Sequence, residues 1–177
     1  MNKNTIITLA VIIILVLSAG LIYYFYQNKA EVEETPTQDT ISITYKSTQY
    51  GFTFYLPENW QGYSIFQTTW NGTALNSTAP QSGPKLLIRN PKWTAGAPYE
   101  DLPILVFTIA QWNGYLLENF SVSAAPIPAT ELGRNNVYVF ALPPRWNYDY
   151  SLGYQEATDI IAGNPLHPFN ISDDSTI

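Results

Sequence analysis

The segment Arg145-Trp146-Asn147-Tyr148-Asp149-Tyr150 interleaves aromatic and polar side chains directly after two prolines. In an extended chain successive side chains point to opposite faces. Alternation therefore sets Trp146, Tyr148 and Tyr150 on one side and Arg145, Asn147 and Asp149 on the other. An exposed row of this kind can stack on sugar rings or on a protein partner, because aromatic side chains bring large area at small entropic cost. The same row can instead cover the open core of a sheet, the commoner fate of an aromatic stripe. Arg145, Trp146, Tyr148 and Tyr150 are the candidate ligand-binding residues.

Other reactive side chains are sparse. Glu100 and Asp101 are adjacent carboxylates that together could bind Ca²⁺ or serve as acid and base. Neighbours in an extended chain point apart, so a loop in which a carboxylate bonds nearby amides is the expectation. Lys85, Leu87 and Arg89 share one strand face, with Lys92 close behind. They could hold an anion, but charge guarding an exposed sheet edge is expected instead. His167, between Leu166 and Pro168, is the only histidine, and cysteine is absent. A His/Cys zinc site cannot be assembled from one such residue. A serine triad would need His167 and a Gly-x-Ser-x-Gly elbow that the chain lacks. His167 is expected at a helix end or on the surface. No catalytic set, metal or cofactor is expected. Four Asn-x-Ser/Thr sequons, at Asn71, Asn76, Asn119 and Asn170, matter only in a eukaryotic secretory pathway.

Where these groups work depends on Thr5–Tyr26, an uncharged run long enough as a helix to cross a hydrocarbon core of about 30 Å. A signal peptide has a shorter apolar region, about 7–15 residues, before small residues at its cleavage site. Here the apolar run continues past Ser18, Ala19 and Gly20 into an aromatic cluster suited to a membrane interface. A retained transmembrane anchor is expected, with cleavage as the alternative. Residues 1–4, with Lys3, read as a short cytoplasmic tail, which puts the C-terminal domain outside. Residues 27–40 are acidic, without apolar periodicity, and read as a flexible linker. Residues 41–170 are of ordinary single-domain length, and 171–177 form an acidic tail.

The formal charge of −6 lies mostly outside that domain. Between Ile41 and Asn170 stand six basic and eight acidic residues, nearly neutral, so phosphate-neutralising binding of nucleic acid has no support. Half-buried strands are expected at Ile41–Lys46 and Gly51–Pro57, the second with Phe52, Phe54 and Leu56 on one face. Another run starts at Trp60. Thr68–Pro84, rich in Asn, Ser, Thr, Gly and Pro, reads as a long exposed loop. Lys85–Asn90 and Asn135–Pro143 read as strands, and Leu102–Phe107 as a central strand covered on both faces. Thr108-x-x-Gln111 matches a capping box, with Ile109, Trp112, Leu116 and Phe120 following at helical spacing. Tyr154, Ala157 and Ile161 mark a second helix, with Gly163 as its C′ residue. The expected fold is α+β, an antiparallel sheet flanked by helices.

The hairpin Tyr50-Gly51-Phe52-Thr53-Phe54-Tyr55-Leu56-Pro57-Glu58-Asn59-Trp60 resembles the Gly-Phe-x-Phe-x-Leu-Pro-x-x-Trp opening of PsbP-like domains. The resemblance implies an antiparallel sheet flanked by helices; plant members are non-catalytic extrinsic subunits of photosystem II. Pro91–Pro143 is more similar to uncharacterised membrane-anchored bacterial proteins. Anchor, linker and the lack of a catalytic set together predict a membrane-anchored extracytoplasmic binding or accessory module, recognising a protein partner or an envelope component. The alternatives are a carbohydrate-binding module of the cell envelope and a carboxylate-dependent hydrolase.

Overall fold

The computed structural model describes residues 42–75, 79–125 and 127–171, together with Asn2, Ser18 and Gly20. The chain divides into two compact units, Met1–Thr40 and Ile41–Ile177. The expected anchor at Thr5–Tyr26 (Ser18 and Gly20 apart), the linker at 27–40 and the tail beyond Ile171 lie outside the described residues. No helix among the described residues is long and apolar enough to cross a membrane.

Among the described residues the second unit is α+β, with two sheets and two α-helices. β1 (Ile43–Ser47), β2 (Phe52–Leu56) and β9 (Leu166–Pro168) form a three-stranded sheet in the order β1-β2-β9. A larger sheet runs β6-β3-β4-β5-β8-β7. Its strands are β3 (Ser64–Ala74), β4 (Gln81–Arg89), β5 (Leu102–Thr108), β6 (Phe120–Ser121), β7 (Thr130–Arg134) and β8 (Tyr138–Leu142). All of these strand pairings are antiparallel. The helices are α1 (Ile109–Leu116) and α2 (Tyr154–Ala162).

The near-continuous apolar run of β5 is explained by two cores, one on each face of the large sheet. Leu102, Ile104 and Val106 join a cluster with Phe52, Phe54 and Trp60 from the small-sheet side and Ala157 of α2. Leu105 and Phe107 point the other way, into a cluster with Trp70, Phe120 and Trp112 of α1. Burying each such side chain contributes about 1.5–3 kcal/mol, so a strand covered on both faces anchors the domain. Helix α1 starts at the expected capping box: Thr108 Oγ1 accepts from Gln111 N at 3.1 Å, and Gln111 Oε1 accepts from Thr108 N at 3.0 Å.

Several expectations are corrected. Thr68–Pro84 is mostly not a loop: β3 runs to Ala74 and β4 starts at Gln81, paired from Ser64↔Arg89 to Gly72↔Gln81. Its glycines admit aromatic rings. A Cβ at Gly83 would stand 2.7 Å from the Trp70 ring, and one at Gly72 2.6 Å from Phe120. β4 is not an edge, because Lys85–Ile88 pair with β5 as well as with β3. Phe120 does not continue the α1 face; it pairs with Ala74 in β6. Strand β8 starts at Tyr138, because the buried Asn135 makes a turn. Its Oδ1 accepts from the backbone N–H groups of Val137 and Tyr138, and its Nδ2 donates to the carbonyls of Tyr50 and Gly51. Gly163 closes α2 with φ −76°, and Asn164 instead takes the left-handed turn at φ 51°. His167 lies in β9 opposite Thr53, exposed as expected, with its ring edge-on to Tyr55.

Candidate functional site

Strand register gathers the candidate residues at one end of the large sheet. β8 finishes beside the start of β5, which lies beside the end of β4 and the start of β3. Loop 143–153, loop 90–101 and the first turn of α2 therefore meet there. The bridge Tyr99↔Leu152 joins the two loops, and Glu100 N donates to Leu152 O at 2.7 Å.

Loop 143–153 does not alternate. Arg145 (φ 55°) and Tyr150 (φ 49°) both adopt left-handed backbone, so the segment turns instead of extending, and the expected three-ring row is divided. Trp146 packs against the core that includes Ala157. Tyr148 and Tyr150 stand out in solvent, 60% and 68% exposed. The Arg145 guanidinium lies over the Tyr148 ring, 4.9 Å from its centroid. Tyr150 sits 6.4 Å from Tyr148 and 5.0 Å from Tyr154, meeting the latter edge-on at 88°. Tyr154, on α2, thus joins the three exposed candidates, and only the turn of the chain brings it there.

Polar groups behind the rings hold this loop. Asn147 Nδ2 donates to Thr158 Oγ1 at 2.9 Å, and that hydroxyl donates to Tyr154 O at 2.8 Å. Ser151 Oγ donates to the Glu100 carboxylate. Gly153, at φ 78°, lies so close to Tyr99 that a Cβ would stand 2.9 Å from its ring. These contacts fix the backbone from which Tyr148 and Tyr150 project.

Glu100 and Asp101 point to different partners, as their adjacency implies. Asp101 accepts from Arg89 (3.1 Å) and from Asn90 N (3.2 Å). The Arg89 guanidinium also lies between Phe66 and Trp93, 4.4 and 4.1 Å from their centroids. Of the basic group Lys85, Arg89 and Lys92, Arg89 is thus committed to Asp101 and two rings. Lys92 faces Glu156 at 3.5 Å. Glu156 also accepts from Trp60 Nε1 at 3.2 Å and from Asn59 Nδ2. That group, drawn from positions 59, 60, 92 and 156, has no spacing a sequence could reveal.

Burial pushes the Glu100 carboxyl above the ordinary glutamate value. The Ser151 hydrogen bond opposes this, and the charges of Asp101 and Asp149 add to it. Glu100 is thus a carboxyl inclined to hold a proton, but Asp101, tied to Arg89, does not converge with it. Among the described residues no three His, Asp or Glu side chains gather as a metal ion would require. A groove of about 390 Å³ lies elsewhere, lined by Tyr115, Leu116, Phe120, Ile127, Pro128 and neighbours. No family model, curated protein or solved structure matches this chain.

Proposed function

We propose that this chain is a membrane-anchored extracytoplasmic binding or accessory module on a PsbP-like domain. It recognises a protein or envelope component through Arg145, Tyr148 and Tyr150 and performs no catalysis. The carrying observation is the pair of solvent-exposed rings, Tyr148 and Tyr150, on a loop pinned at Asn147, Ser151 and Gly153. Rings held in place lose little freedom when a partner covers them, and such positions carry much of the energy of recognition. Trp146 supports the loop from behind. The anchor reading rests on the apolar run Thr5–Tyr26, and the PsbP-like reading on the segment Gly51–Trp60, strand β2 and the short helical turn after it, whose Phe52, Phe54, Leu56 and Trp60 are all buried.

One observation favours the hydrolase alternative: the raised Glu100 carboxyl could serve as a general acid. Its neighbour Asp101 is engaged on Arg89, which takes it out of the paired-carboxylate arrangement such chemistry uses.

The test is a photo-crosslinking residue at Tyr148 of the full chain in intact cells, with one at Ser82 as reference. Adducts specific to position 148, on a domain that added protease digests in whole cells, support the proposal. Glycan or ester hydrolysis abolished by Glu100→Gln would replace it with the enzyme reading.

A further inference from the structure

The chain enters the domain at the end that carries the tyrosines. β1 begins at Ile43, paired with Leu56, and Tyr63 Oη donates to Thr44 O at 3.1 Å just before β3 starts. That is the end of the large sheet where loop 143–153 meets the start of α2. Only residues 27–41 separate the apolar run from Ser42. Even fully extended they span only roughly 50 Å, so an anchored chain confines this end of the domain to a layer of that depth beside its own bilayer.

The chemistry of the surface fits that neighbour. Tyr148, Tyr150 and Leu152 are each more than half exposed. Tyrosine has an apolar ring and a polar tip, the combination enriched where hydrocarbon meets headgroups. A sugar would want open ring faces. Here the Arg145 guanidinium covers a face of Tyr148, Tyr150 meets Tyr154 edge-on, and Leu152 offers a glycan no hydrogen bond. The nearby bases Arg89 and Lys92 are paired with Asp101 and Glu156, and the charge of Arg145 is matched within the loop by the exposed Asp149, so net attraction to anionic lipid is not the driving term.

We infer that the surface of Tyr148, Tyr150 and Leu152 docks on the headgroup zone of the bilayer that anchors the chain. The inference rests on the anchored-module reading and names the envelope component which that module recognises. The docked tyrosines hold the domain end-on to the membrane and present its opposite end, the β3–β4 hairpin, away from it.

The chain has no cysteine, so one introduced thiol is a unique label site. The full chain is reconstituted in vesicles of phosphatidylcholine alone, or of phosphatidylcholine with phosphatidylglycerol. An environment-sensitive fluorophore is placed at Tyr148→Cys, Tyr150→Cys or Ser82→Cys, the last exposed on β4 far from the tyrosines. Nitroxide carried on lipid headgroups should quench the labels at 148 and 150 several-fold more than the label at 82, to a similar degree in both lipid mixtures. Equal, weak quenching at all three positions, in protein that alkaline carbonate does not extract, overturns the docking and leaves the anchor standing. So does Tyr150→Cys that crosslinks to a second copy, or becomes protected by added wall glycan, without lipid quenching. Extraction by carbonate removes the anchor reading, and the docking with it.

Discussion

Trp70 lies flat across Gly83: a Cβ on that glycine would stand 2.7 Å from the indole ring. Passing over the backbone in this way, the ring reaches β5 and donates its Nε1–H to Val106 O at 2.8 Å. It also packs against Phe107, tilted by 33° at 4.5 Å, and stacks 5.9 Å from Phe120. One missing side chain on β4 thus organises the second core.

Gly83→Ala should therefore displace the indole, break its buried hydrogen bond and loosen the aromatic stack. Overpacking and a lost buried hydrogen bond together cost about 3 kcal/mol. Thermal unfolding of the detergent-solubilised chain should drop by roughly 10 °C. Ser82→Ala, next door and exposed, should melt like the parent.

The two halves of the aromatic segment should separate by readout. Trp146→Ala removes a ring packed on the first core and should cost about 2 kcal/mol, seen as a lower melting temperature. Tyr148→Ala with Tyr150→Ala removes rings that mostly face solvent, and stability should change by less than about 0.5 kcal/mol. The double variant should nonetheless lose the position-specific adducts. A large melting shift in the double variant, or none in Trp146→Ala, would reverse the division of roles.

Glu100 predicts a pH dependence of defined sign. Its folded carboxyl titrates above the ordinary value, so the folded state holds the proton more tightly than the unfolded chain does. The stabilising contribution is present below about pH 4.3, where both states are protonated, and is lost as pH rises through the raised folded value. Glu100→Gln keeps an acceptor for Ser151 and cannot ionise. Relative to the parent, it should gain stability across that interval and level off above it. Parallel melting curves for the two proteins from pH 4 to 8 would contradict the assignment.

Local chemistry in the sequence was enough for some features. β2 alternates Phe52, Phe54 and Leu56 toward the core, β5 is apolar on both faces, and Thr108 with Gln111 caps α1; each depends on neighbours within a few positions. The antiparallel α+β class follows from such local signals, as does the parting of Glu100 from Asp101. Other features were decided only by tertiary structure. Thr68–Pro84 has loop composition because its glycines make room for Trp70 and Phe120, and a glycine kept for a distant ring looks the same as one kept for a turn. Strand pairing on both sides placed β4 inside the sheet, which its charges did not announce. The site follows the same rule. Residue types singled out Arg145, Trp146, Tyr148 and Tyr150, but side-chain direction depends on backbone sign. Left-handed turns at Arg145 and Tyr150, closed against Glu100 and Gly153, sent one ring inward and two outward.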